Sequence, residues 1–402
     1  MNFLENLFLF IDFALSLIFS NFFIIIIALF IIFLHIFLFL IRDRSYIKPI
    51  NNIKRINITF NDLKQKPIVN IIVPAWKEGE ILKKSLLSIK NLTYPNIKVI
   101  VNAGGSKETE MIADSFIEYN NFIIIRQKKG KGKNAAINDA LNYVSEGLIY
   151  IIDVGTLLSD DIIISMVYHI TSQKYDVLVG GFFPHYSLLK SDLVKYLFLN
   201  RNSEFRKKFR PNVMDDCVGA NLCFSNKVLK EIGKIPEGVL GDDNRAIGNL
   251  FKTKNFRYKQ LLEKRAETFN YPSKIMESIK QNIRWIDNSL STMFRSKKII
   301  SILKFILLSV ISIYILIFPF LIFVNIYLFL FGLFFFISQY LSRIRKCIFY
   351  KMTKNNDQKV NLSFIFFIKL IFYTFLDVLI RIVAFCEVFF FKKQYKKRKN
   401  LI

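Results

Sequence analysis

The sequence predicts an α/β domain with a doubly wound, mostly parallel sheet, carried on transmembrane helices. Three observations lead there. Residues 67–270 alternate between short β-branched runs and segments of helical periodicity, the pattern of strands joined by crossover helices. No charged residue occurs from Phe13 to Ile41, and about 20 apolar residues suffice to cross a bilayer. Two further apolar runs, 299–318 and 320–341, follow the α/β region.

The N-terminal run comes first. A cleaved leader has a basic start, a shorter apolar core and a small-residue cleavage site. Here Glu5 and Asp12 occupy the start, and no Lys or Arg precedes Arg42. Residues 1–41 are therefore expected to remain as an anchor. Arg42, Arg44 and Lys48 follow at once, so the positive-inside rule places residues 42–298 in the cytoplasm. The expected setting is an integral protein of the cell membrane, with its α/β domain cytoplasmic. A transmembrane hairpin over 299–341 and a basic region over 342–402 complete the predicted organisation, with Arg343–Lys359 as a cytoplasmic loop.

Inside the α/β region the elements follow in order. "IVNIIVPA" has strand length. "ILKKSLLSIKNL" places Ile81 or Leu82, with Leu86 and Ile89, on one helical face. "IKVIVNA", "FIIIRQ" and "GLIYIID" read as strands, and "ETEMIADSFIEY" and "KNAAINDALNYV" as helices. "SDD", ending in Asp160 and Asp161, reads as a helix start. Right-handed crossovers make such a sheet open, with ligands at the carboxyl ends of its strands.

The last apolar segment, 362–391, differs from the others. Lys369, Tyr373, Asp377 and Arg381 recur every four residues and form one stripe, in which Asp377 and Arg381 are spaced to pair. Both flanks are basic, and a single crossing cannot leave both in the cytoplasm. The segment is expected to be an amphipathic helix along the cytoplasmic face, its stripe towards water or the α/β domain. A fourth span is the alternative.

The chain has 402 residues, 52% hydrophobic, with 43 Phe and a formal charge of +26. A basic protein suggests nucleic acid. Here, however, Lys and Arg flank apolar runs, where they meet anionic headgroups. Membrane lipids, and no nucleic acid, are the expected partners. Cys217, Cys223, Cys347 and Cys386 form no Cys-x-x-Cys pair and are expected to be reduced. His35, His169 and His185 show no ligand-like grouping. A transporter would show an inverted repeat or broken helices, and neither is discernible.

The strand ends carry the chemistry. "PAWKEGE" follows the first strand, "NAGGS" the second, "GKGKNAAIN" the third and "DVGT" the fourth. "GANLCFS", "LGDDNRAIGNL" and "QNIRW" come later. In this order the motifs resemble those of the family 2 glycosyltransferases, over about residues 67–290. The resemblance implies a GT-A-type doubly wound domain. The QxxRW form at 281–285 further resembles the membrane-embedded branch, which includes polysaccharide synthases and lipid glucosyltransferases. The implied activity is inverting transfer from a nucleotide-sugar donor, a UDP-sugar first among them, to a lipid-linked or growing glycan acceptor. Few spans leave little material for a secretion channel, which favours single transfer over polymerisation.

Such a transfer expels a diphosphate. It needs positive charge near the leaving group and a base near the acceptor hydroxyl. The resemblance makes Asp243 the base, with Asp242 beside it. Pro74, Ala75, Glu78 and Asp153 go to the nucleotide sugar, and Lys133 to the donor phosphates. Gln281, Arg284 and Trp285 share one helical face. Arg284 can fork onto a phosphate, Gln281 belongs to the same donor contact, and Trp285 offers the acceptor a flat apolar surface.

Each residue also has a plainer reading. The Asp pair could be a helix N-cap. Lys133 could be a solvated lysine beside Lys128, Lys129 and Lys131. Arg284 and Trp285 could simply mark the headgroup level. The role of Arg284 has a direct test. Arg284→Ala is expected to weaken donor or product diphosphate binding, and Arg284→Lys to rescue it poorly, because lysine lacks the planar fork. Equal diphosphate affinity in the Lys variant and the wild type would reduce the residue to a point charge.

Two positions depart from the family pattern. Ala103 and Gly104 stand where an Asp contacts the nucleotide base. Gly155 stands where the second Asp of Asp-x-Asp would hold a divalent metal, Mg2+ or Mn2+, beside Asp153. The leaving group would then be met by a cation on Asp153 alone, or by lysine and arginine. Gly155→Asp is the expected way to restore the pair. The rival reading is a non-catalytic nucleotide-sugar-binding or regulatory protein on a degenerate glycosyltransferase fold.

Overall fold

A computed structural model of the protein describes residues 3–18, 21–45, 47, 58–128, 132–202, 221–237, 247–248, 250–251, 253–295, 299–352 and 360–387. The chain forms two compact units. An α/β unit comprises Ile53–Val194 and Glu204–Ser278; a helical unit comprises Met1–Asn52, Lys195–Ser203 and Ile279–Lys393.

The helical unit opens with α1 (Phe3–Ile18) and α2 (Asn21–Phe37), and α2 continues into a π-helical turn, Leu38–Asp43. The α/β unit then runs β1 (Val69–Trp76), α3 (Glu80–Lys90), β2 (Ile97–Gly104), α4 (Lys107–Asp114), β3 (Phe122–Arg126), α5 (Gly132–Leu141) and β4 (Leu148–Ile152). It continues with β5 (Thr156–Leu157), α6 (Asp160–Thr171), β6 (Val177–Pro184), α7 (Asp192–Asn202), β7 (Asn221–Ser225), α8 (Asn226–Ile232) and β8 (Tyr258–Thr268). From Lys195 onward, α7 belongs to the helical unit.

The strands form one sheet in the order β3-β2-β1-β4-β7-β6-β8-β5. The first four are parallel, as the alternating pattern predicts. Beyond them the sheet is mixed: β7 lies antiparallel to both β4 and β6, β8 parallel to β6, and β5 antiparallel to β8.

The inner strands are apolar throughout because both faces are covered. Successive side chains alternate between faces. Ile71 and Val73 join one buried cluster with Leu82 and Leu86 of α3, whereas Ile72 joins another with Ile137 of α5. Burying each such side chain contributes about 1.5–3 kcal/mol. The mixed half is pinned by a buried polar link. Tyr150 of β4 donates to Asn221 Oδ1 of β7 (2.6 Å), and Asn221 Nδ2 donates to Gly181 O of β6 (3.0 Å). Asp160 opens α6 as expected; its Oδ1 accepts from the Thr93 and Tyr94 amides (2.8 and 3.1 Å).

The helical unit resumes within α9 (Ile275–Arg295) and adds α10 (Ile299–Ile317), a 3-10 turn Phe318–Phe323, α11 (Ile326–Met352) and α12 (Phe364–Cys386). Among the described residues, three helical stretches are long and apolar enough to cross a membrane: Ile26–Asp43, Ile299–Phe323 and Ile326–Met352.

Helix α11 differs from expectation. The basic stretch predicted as a loop from Arg343 is helical to Met352. Its arginines are buried against carboxylates that lie far off in the sequence. Arg343 reaches Asp377 (2.7 Å) and the Tyr196 hydroxyl (3.2 Å), and Arg345 reaches Asp43 (2.9 Å). His35 packs beside Ser338 (3.1 Å).

Within 362–391 the described part is helical, as predicted. Asp377 and Arg381, however, take separate partners. Asp377 binds Arg343 and Tyr196, whereas Arg381 donates to Ser312 of α10 (3.1 Å). Both therefore turn inward, and Phe364, Ile368 and Phe372 are exposed.

Candidate active site

The carboxyl ends of β1, β2 and β4 bring the predicted donor residues together. Pro74 and Ala75 are β1 residues paired with Asn102 and Ala103; Ala75 is fully buried. The chain then turns sharply. Lys77 adopts a left-handed conformation (φ +58°), and its amide donates to Gly104 O (2.9 Å). That turn sets Glu78 ahead of α3. Lys133 lies in the first turn of α5 and is ion-paired with Asp153, which follows β4. Burial, and then the negative charge of Asp153, raise the Glu78 carboxyl above its ordinary value of 4.5. Two carboxylates and one ammonium therefore share one corner of the sheet.

The "GG" after β2 has a steric reason. A Cβ at Gly104 would lie 3.3 Å from the Trp76 ring and 3.0 Å from Gln127 O. At Gly105 (φ +87°) it would lie 2.8 Å from the Trp76 ring. The indole lies so close to these residues that an acid could not stand at Gly104 without displacing it.

The loop after Asp153 is held on two sides. Ser85 Oγ of α3 accepts from the Gly155 amide (2.8 Å). On the other side, Phe269 N–H donates to Gly155 O (2.8 Å) and Asn270 Nδ2 to Val154 O (2.8 Å). Gly155 has φ +89°, and a Cβ there would lie 2.5 Å from Asn270 Oδ1. Gly155→Asp is therefore not the simple restoration that the sequence suggests, because the side chain meets both strain and an occupied space.

Sequence reasoning missed Ser85, Gln127 and Asn270. Gln127 Oε1 and Asn134 Oδ1 are buried without a hydrogen-bond partner, and buried acceptors are ordinarily satisfied. Asp160 and Asp161 open a helix, and His185 packs between Tyr186 and Phe269. Asp242 and Asp243 lie outside the described residues. Beyond them, Ile247 and Phe251 are buried in the core. Gln281, Arg284 and Trp285 lie on α9 within the helical unit, with Arg284 and Trp285 exposed.

Residues 70–233 match the family model of glycosyl transferase family 2. The chain carries a family 2 glycosyltransferase domain. The chain is 28% identical to glycosyltransferase GlyA of Streptococcus pneumoniae over 142 residues, 35% of the chain and 20% of GlyA. It is 23% identical to the poly-beta-1,6-N-acetyl-D-glucosamine synthase of Staphylococcus epidermidis over 267 residues, 65% of the chain and 62% of the synthase. It thus spans a fifth of one relative and just over three fifths of the other. Its fold is that of the mannosyltransferase PcManGT from Pyrobaculum calidifontis, solved with GDP-Man and Mn2+. The TM-score is 0.52 at 13% identity, covering 92% of this chain and 99% of that one. The α/β unit thus has a GT-A-type fold.

The half-buried Glu78 gives the protein a pH signature. Its folded pKa lies above the unfolded value, so the unfolded chain ionises first as pH rises. Stability is then lost as pH climbs from the ordinary value of 4.5 through the folded one. Glu78→Gln is expected to remove that loss, melting higher than wild type at neutral pH while binding donor less well. Parallel melting curves for the two proteins across this window would refute the assignment.

Proposed function

We propose that the protein transfers a glycosyl group, with inversion, from a nucleotide sugar, a UDP-sugar first among the donors, to a lipid-linked or growing glycan acceptor. The carrying observation is the Lys133–Asp153 ion pair beside Glu78, at the carboxyl ends of β1 and β4 in a family 2 domain. In this reading Asp153 holds Lys133 until the donor arrives, and the ammonium then meets the diphosphate. The N-terminus of α5 adds favourable partial charge. Asp243 takes the acceptor proton as the acceptor oxygen bonds to the anomeric carbon. The bond from that carbon to the diphosphate breaks, and the diphosphate leaves with the electron pair.

A membrane setting is supported by the three apolar helical stretches. The staphylococcal relative is a poly-beta-1,6-N-acetyl-D-glucosamine synthase, which makes a glycan acceptor the natural first trial, and PcManGT's bound GDP-Man makes that donor the natural control. The test is release of nucleoside diphosphate from a panel of nucleotide sugars, with and without membrane lipid extract. Release that requires the extract supports the reading. Donor binding without turnover under every condition favours the non-catalytic alternative, which Ala103, Gly104 and Gly155 make worth testing.

A further inference from the structure

Gly155 occupies the place of a second metal-binding acid, yet an oxygen stands beside it. Asn270 Oδ1 lies 2.5 Å from where the Gly155 Cβ would be. By standard bond lengths, a carboxylate oxygen of an aspartate lies about 2.4 Å from its own Cβ. An amide oxygen from the end of β8 thus stands at the range from that Cβ at which an acid's oxygen would stand. The amide is also oriented. Nδ2 is committed to Val154 O (2.8 Å), so the other end is the acceptor. The Asn270 main-chain N–H binds Thr268 Oγ1 (3.1 Å), which fixes the turn that carries it.

The charge balance differs from that of two acids. Asp153 is the one carboxylate of the pair and is already matched by Lys133; Asn270 adds an oxygen but no charge. Among the described residues no three His, Cys, Asp or Glu side chains gather. Hard oxygen donors of this kind suit Mg2+ or Mn2+. Two of them, of which the one carboxylate is already engaged by Lys133, form an incomplete donor set, and a diphosphate would supply both further oxygens and further negative charge.

We propose that Asn270 is the second oxygen donor of a divalent-cation site that fills only together with a nucleoside diphosphate. The inference rests on the donor reading above. It assigns Asn270 a role that nothing in its sequence spacing announces.

The experiment measures the free Mn2+ signal by electron paramagnetic resonance, using the full chain in detergent, with and without UDP or GDP. Equilibrium dialysis measures binding of the same nucleotides without metal. Wild type is expected to leave the Mn2+ signal unchanged alone, and to reduce it with nucleotide beyond what nucleotide does by itself. Asn270→Asp is expected to take up Mn2+ without nucleotide. Asn270→Ala is expected to lose nucleotide-dependent uptake by at least the roughly tenfold that even an outer-shell partner costs, while keeping metal-free nucleotide binding. Wild-type uptake in Asn270→Ala, or tight uptake by wild type without nucleotide, overturns the proposal. If the alanine variant does not fold, Asn270→Asp decides, and unchanged Mn2+ behaviour in it overturns the proposal. Absence of nucleotide binding in the dialysis arm overturns the donor reading itself, a result distinct from a failed cation site.

Discussion

Asp243→Asn is expected to abolish glycosyl transfer while leaving donor affinity near that of the wild type. A positioned base contributes about 10²–10⁴-fold, and an amide cannot take the acceptor proton. The proposed donor residues Glu78, Lys133 and Asp153 come from other parts of the chain, on the turns after β1 and β4 and at the start of α5. Binding and transfer should therefore separate. Single-turnover transfer and equilibrium donor binding, measured on one preparation, make the comparison. Transfer close to the wild-type rate would move the role to Asp242. Loss of both transfer and donor binding would mean that the "GDDNR" segment holds the donor rather than the acceptor proton.

Arg343→Met is expected to be the most damaging change in the helical unit. Its side chain is 8% exposed, and it binds Asp377 of α12, the Tyr196 hydroxyl of α7 and Gln339 of its own helix. Removing one partner of a buried pair typically costs about 3–5 kcal/mol, because the other charge stays behind. Replacing both with apolar residues is often nearly neutral. The double variant Arg343→Met with Asp377→Leu should therefore recover much of the loss. Melting of the helical signal in detergent for the two single variants and the double gives the coupling. A single variant as stable as wild type would mean that the pair does not hold α12 to α11.

What could be read in advance followed from local signals. The central parallel strands appear as unbroken apolar runs because both faces are covered, and α3 shows its buried face in Leu86 and Ile89, with Leu82 rather than Ile81 completing it. The proximity of Glu78, Lys133 and Asp153 was legible because they stand at strand ends or just inside a helix.

The rest depends on distant partners. Nothing local in "NLCFS" signals that β7 runs antiparallel between β4 and β6. The buried Tyr150–Asn221 link that secures it joins residues far apart in the chain. The "RIRK" stretch looks like a loop until Asp43 and Asp377 are seen to neutralise its arginines. The tight surroundings of Gly104, where a Cβ would lie 3.0 Å from Gln127 O and 3.3 Å from the Trp76 ring, are likewise invisible in the local sequence. No spacing rule connects Gly155 with Asn270.

The order of the strands has a geometric consequence. β4 is fourth in the sheet and β5 eighth, yet only residues 153–155 separate them in the chain. In a flat sheet, four strand intervals would hold them about 19 Å apart. The steps from Ile152 to Thr156 reach about 14 Å at full stretch. The sheet must therefore roll up until its far margin meets the mouth of β4, and the short Asp153 loop acts as the tether that keeps it rolled. Lengthening that tether by two or three glycines would let the margin relax and carry the β8 end, with Asn270, away from Asp153. The curvature of the whole sheet and the spacing of its reactive groups are thus set by the same few residues.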